Sequence, residues 1–134
     1  MDFKNEKINF FKDFDMDKII SSNSDKSAFF LPVIEHMNKN YNRYISISEL
    51  ARLVYVDPAY FIRKFKNTYG VPPITFFNNI RIKKAIELLI LTDDSVRTVS
   101  KKMGMEETSY FSRWFKKNSG FSPSEFRKIY EYKK

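Results

Sequence analysis

With 134 residues, 43% of them hydrophobic and 17% aromatic, the chain has enough apolar material for one globular domain, or for two small subdomains sharing an element, and excludes a large multi-domain enzyme. Only 3 Gly and 5 Pro interrupt long stretches rich in helix formers, which points to an all-α fold, and a formal net charge of +8 calls for a polyanionic partner or a solvated lysine-rich surface. No cysteine is present for disulfides, thiolate metal sites or nucleophiles, and no signal-like or spanning apolar run is found, so the expectation is a soluble, cytoplasmic protein.

Residues 1–25 read as an N-terminal extension or linker. Four lysines face six acidic residues there, a net of −2, which leaves +10 for the remainder. Ile8, Phe10, Phe11, Phe14, Ile19 and Ile20 make the stretch too apolar for a pure linker, so it is expected to pack on the domain or to serve in a homodimer.

A first helix is expected from about Asp25 to Asn40, with Phe29, Phe30, Val33, Ile34 and Met37 as its apolar stripe. Ser46 and Glu49 form an S-x-x-E capping box, in which hydroxyl and carboxylate each satisfy an amide, and open a short helix to about Val54 with Leu50, Ala51 and Val54 facing inward. Asp57 and Pro58 start a longer helix that stops before Gly70, because aspartate caps free amides and proline needs no hydrogen bond in the first turn. Pro73 opens a long helix to about Leu91, with Phe76, Ile80, Ala85, Leu88 and Leu89 as candidate core contacts. The run Thr92-Asp93-Asp94-Ser95 starts another to about Met103, stopped at Gly104; Glu107 to Ser119 forms the next, ended by Gly120, and Pro123 begins the last.

The chain repeats itself. Tyr60, Phe61, Arg63, Phe65, Lys66, Gly70, Pro73 and Phe76 recur 50 positions later as Tyr110, Phe111, Arg113, Phe115, Lys116, Gly120, Pro123 and Phe126. Two copies are too few for a solenoid, so one supersecondary unit used twice is the reading. Each copy is a short helix, a tight turn and a longer helix, which is the helix-turn-helix arrangement whose second helix can enter a major groove. The expected architecture is all-α with about seven helices: residues 26–72 as a first helix-turn-helix subdomain, 73–91 as a connecting helix and 92–134 as a second.

These residues resemble the AraC/XylS family of bacterial transcription regulators. The resemblance is carried by Leu50-Ala51 and Tyr60-Phe61-Ile62-Arg63-Lys64-Phe65-Lys66, then by Arg81-Ile82-Lys83-Lys84-Ala85 with Leu88-Leu89. It continues with Gly104, Ser109-Tyr110-Phe111-Ser112-Arg113-Trp114-Phe115-Lys116, Phe121-Ser122-Pro123 and Phe126-Arg127, and covers roughly residues 26 to 130. The longer second turn is similar to the family too, Ala51 to Tyr60 being nine steps and Ser100 to Tyr110 ten. Two positions depart from easy chemistry. Tyr55 sits in the first turn, where a non-glycine residue at positive φ is strained, and Glu107 replaces a better helix cap at a cost of roughly 1 kcal/mol.

Ala59, Ile62, Arg63 and Lys66 share one face of the first long helix; Ser109, Ser112, Arg113 and Lys116 share the equivalent face of the second, with Thr108 near its start. Phe61, Phe65, Phe111 and Phe115 belong to the core faces. The base-contacting candidates are Ala59, Ile62, Arg63, Thr108, Ser109, Ser112 and Arg113. A guanidinium can donate twice to guanine, and Ile62 either meets a thymine methyl or packs at the core margin. Tyr60, Lys66, Tyr110, Lys116 and Lys117 are the phosphate-contacting candidates, with packing the favoured role for the tyrosines. Trp114, replacing Lys64 of the first copy, is expected to fill a gap rather than to stack on an unpaired base.

If the connecting helix keeps the two recognition helices roughly parallel, they reach successive major grooves about 34 Å apart, on a double-stranded DNA site of about 20 bp. The resemblance implies a transcription regulator, an activator contacting RNA polymerase, with no cofactor, no metal and no catalytic residue. His36 is solitary, no glycine-rich phosphate loop occurs, and Asp93-Asp94 reads as a helix start. The rival readings are a sequence-indifferent DNA-binding module and a protein-interaction domain. Many relatives add an effector-sensing domain, for which these residues leave no room.

Overall fold

The computed structural model describes residues 28–133; the expectations for residues 1–25 lie outside them. Seven α-helices and one 3₁₀ turn occupy the described residues, and no strand is found among them. The turn is η1 (Ala28–Phe30); the helices are α1 (Leu31–Lys39), α2 (Ile47–Leu53), α3 (Pro58–Tyr69), α4 (Pro73–Leu91), α5 (Val96–Lys102), α6 (Thr108–Ser119) and α7 (Pro123–Lys133). The chain divides into two compact units, the boundary falling inside α4 between Ile80 and Arg81. Among the described residues no helix is long and apolar enough to cross a membrane.

In the first unit, Phe30, Val33, Ile34, Met37, Ile45, Leu50, Phe61, Phe65, Tyr69, Phe76, Phe77 and Ile80 form one buried cluster. Each large apolar side chain removed from water there contributes about 1.5–3 kcal/mol. The first helix is shorter than its apolar stripe suggested: residues 28–30 form the 3₁₀ turn, and α1 begins at Leu31 with proline in its first turn. Pro32 has no N–H to lose at that position, so the helix starts where its ring fits. Phe29, expected in the stripe, is partly exposed.

Ser46 caps α2 by accepting the Glu49 N–H at 3.1 Å. The reciprocal half of the expected capping box is not made. The Glu49 carboxylate instead accepts from Arg43 Nη1 and Nη2 and lies 2.6 Å from His36 Nε2. Charge-assisted pairing outcompetes a single backbone amide. The Arg43 guanidinium first, and then His36, hold the Glu49 carboxyl well below its ordinary range, at about 2.

Asp57 accepts the Tyr60 N–H at 3.0 Å at the start of α3, and Gly70 ends that helix at φ +81°, its N–H donating to the Lys66 carbonyl. The second unit repeats this ending: Gly120, at φ +88°, donates to the Lys116 carbonyl. The aromatic core repeats as well. The rings of Phe65 and Phe76 meet edge to face at 5.4 Å and 85°, and those of Phe115 and Phe126 at 5.5 Å and 83°. The 50-residue repeat is therefore a repeat of packing. Ile82, Ala85, Leu89, Val99, Met103, Met105, Phe111, Phe115, Phe121 and Phe126 are buried in the second unit, while Leu88 is only half-buried.

Candidate nucleic-acid interface

Two tight turns set the approach of α3 and α6. In the first, four residues separate α2 from α3, and the Val56 N–H donates back to the Ala51 carbonyl at 3.2 Å. In the second, five residues separate α5 from α6, and the Met105 N–H donates to the Ser100 carbonyl at 2.9 Å. The extra residue read from the spacing is there. Each turn needs one residue in the left-handed region: Gly104 supplies it in the second at φ +80°, Tyr55 in the first at φ +58°. For a tyrosine that conformation costs energy that glycine avoids.

The second turn has a further clamp that sequence reasoning missed. Ser100 is fully buried and its hydroxyl donates to the Met105 carbonyl at 2.6 Å. The signal was the serine itself, at the position where the first copy has Ala51. A reciprocal capping box at α7 also went unread, although Ser122 and Glu125 have the required spacing: the Ser122 N–H donates to the Glu125 carboxylate and the Glu125 N–H to the Ser122 hydroxyl.

The opposed faces of α3 are cleanly separated. Phe61 and Phe65 are buried, whereas Ala59, Ile62, Arg63 and Lys66 are exposed. On α6, Phe111 and Phe115 are buried, Ser109, Arg113, Lys116 and Lys117 are exposed, and Thr108 and Ser112 are half-buried. Tyr60 and Tyr110 are 40% and 53% exposed, so each ring is partly covered and partly open to solvent. Lys64 places its ammonium over the Phe29 ring at 4.8 Å and over the Tyr60 ring at 5.7 Å.

Among the described residues Arg63 and Arg113, like Arg97 on α5, do no internal work, and what sets the pair apart is its equivalent place on α3 and α6. Arg43 is tied to Glu49, and Arg127 donates from Nε to the Leu89 carbonyl and from Nη2 to the Thr92 carbonyl, satisfying the end of α4. Arg81 lies over the Trp114 ring at 5.2 Å and donates to the Met103 carbonyl; burial pulls its pKa down. Arg63 and Arg113 make no hydrogen bond, ion pair or ring contact within the described residues, and both are exposed. Trp114 is half-buried between Arg81 and Phe111, so it fills a place in the second unit, as the sequence suggested.

A helix-turn-helix domain model matches residues 50–129, the stretch that contains both turns and both recognition helices. The chain belongs to the AraC/XylS family of helix-turn-helix transcription regulators. A relative described as the uncharacterized HTH-type transcriptional regulator YisR of Bacillus subtilis is 32% identical over 94 residues, which cover 70% of this chain and 33% of the relative. The chain thus spans about a third of that relative's length. Among solved structures, the C-terminal domain of AraT, a response regulator from Geobacillus stearothermophilus, aligns with a TM-score of 0.68 and 27% identity over 75% of this chain and 84% of that one. The DNA-binding domain of AdpA, a global transcriptional factor solved with a target DNA, has the same fold with a TM-score of 0.68 and 24% identity, over 76% of this chain and 92% of that one. As an AraC/XylS-type double helix-turn-helix, the chain has its two recognition helices in α3 and α6.

Proposed function

We propose that this AraC/XylS-type chain is the DNA-reading part of a bacterial regulator, and that it binds one double-stranded site in two blocks. The observation that carries the reading is the recurrence of an exposed arginine with no partner among the described residues, Arg63 on α3 and Arg113 on α6, at the same place on two helices of equal length. Each guanidinium donates to a guanine edge, which discriminates by about 1–3 kcal/mol. Ala59, Ile62, Thr108, Ser109 and Ser112 line the same faces and read the neighbouring base edges. Tyr60, Lys66, Tyr110, Lys116 and Lys117 meet phosphates and supply affinity that falls with salt. Two grooves a turn apart make a site of about 20 bp.

The units 26–72 and 92–134 read one block each, with 73–91 connecting them. The protein works where chromosomal DNA is, in the cytoplasm, as a non-enzymatic activator that contacts RNA polymerase, and its N-terminal region supports dimerisation.

Selection from a random duplex library at ~50 and ~200 mM salt, with wild type, Arg63→Ala and Arg113→Ala, tests the reading. Two enriched blocks with centres ~10 bp apart, each relaxed by one of the two substitutions, are expected. Tight binding without enrichment would make the protein a sequence-indifferent DNA coat.

A further inference from the structure

The two reading faces have the same frame and different chemistry. Shifting by the 50-residue repeat places Ala59 on Ser109, Ile62 on Ser112, Arg63 on Arg113 and Lys66 on Lys116. The arginine and the lysine are kept, while the two positions beside the arginine change from alkyl to hydroxyl. Ile62 is 40% exposed on a helix whose core face is already filled by the fully buried Phe61 and Phe65. Its branched side chain stands next to Arg63 and, among the described residues, keeps a substantial apolar surface open to water in the free protein.

In a major groove the one apolar group on a base edge is the thymine 5-methyl. Resting on the bipartite reading above, we infer that the two blocks are not repeats of one sequence: Ile62 makes the α3 block require a thymine beside its guanine, and the α6 block has no such requirement. Ser109 and Ser112 can donate or accept, and they bridge to base edges directly or through water, which tolerates more than one base. Ala59, with a single methyl, leaves room for the Ile62 side chain to approach the base. Exchanging the two blocks would set a thymine methyl against Ser112 and a polar edge against Ile62.

The test replaces thymine by deoxyuridine, which removes one methyl and leaves every hydrogen-bonding group. In the duplex enriched by the full chain, the substitution is made at each thymine of one block at a time, and binding is measured for wild type, Ile62→Ser and Ser112→Ile. Loss of one well-packed methyl corresponds to about a three- to five-fold weaker affinity. That loss is expected for wild type at one thymine of the α3 block only, should vanish in Ile62→Ser, and should appear at the α6 block in Ser112→Ile. Circular dichroism and retained guanine dependence at the other block show that each variant folds. Equal affinity of deoxyuridine and thymine duplexes, with both guanine blocks still required, overturns this inference and leaves the bipartite reading standing. Loss of guanine dependence at both blocks overturns the two together.

Discussion

The start of α6 gives the most direct test of the energetics, because the two copies of the unit differ there in one cap. Asp57 accepts an amide of α3, whereas Glu107 occupies the same position before α6 with no side-chain hydrogen bond to the helix. Glutamate carries one more methylene than aspartate, and its carboxylate overshoots the amides of its own first turn. Glu107→Asp should therefore supply the missing bond without altering net charge, stabilising the second unit by about 1 kcal/mol, the usual worth of a cap. Backbone ψ is 112° at Glu107 against 156° at Asp57, so part of the gain is spent turning the peptide and the lower half of the cap range applies. Trp114 is the single tryptophan and sits on α6, which makes its fluorescence a local reporter. In urea, with a slope of about 1–3 kcal/mol/M for a protein this small, the midpoint followed by Trp114 should rise by roughly 0.3–1 M. An unchanged or lowered midpoint would refute the argument that the missing cap weakens this helix. Altered base preference in the same variant would show instead that Glu107 touches DNA.

Three further outcomes follow from single residues. Tyr55→Gly should stabilise the first unit by about 0.5–1 kcal/mol, since it relieves a left-handed tyrosine whose ring is 95% exposed and makes no core contact; a lower thermal midpoint would contradict this. The buried Tyr69 hydroxyl has no hydrogen-bond partner among the described residues, so Tyr69→Phe should be neutral or stabilising at pH 7. Burial pushes that hydroxyl up from 10.0 to about 12, so the neutral form favours folding below pH 10 and stability falls as pH rises toward 12; urea midpoints across that range should fall less steeply in Tyr69→Phe. Glu49 has the opposite sign: its lowered pKa gives stability that is present above about 4.5 and lost as pH falls toward about 2. Glu49→Gln should flatten acid unfolding of the first unit, and an acid transition identical to wild type would remove the Arg43–Glu49–His36 network from the account.

By itself the sequence determined the helical class, the helix starts from α2 onward, the stops at Gly70, Gly104 and Gly120, and the duplicated unit with its longer second turn. These are local matters: a capping side chain, a proline in a first turn or a glycine at positive φ acts within a few residues, so pattern and spacing suffice. It also separated Phe61 and Phe65 from Arg63 and Lys66, because helical periodicity assigns faces without reference to the partner. Tertiary structure alone decided what depends on groups distant in the chain. It sent Glu49 to Arg43 and His36 instead of its own helix amide, laid Arg81 over Trp114, set Arg127 against the end of α4, and left Tyr60 and Tyr110 exposed. An ionic or aromatic side chain takes the strongest partner that the fold brings within reach. Which arginines are consumed in that way, and which stay exposed, is a property of the packed molecule.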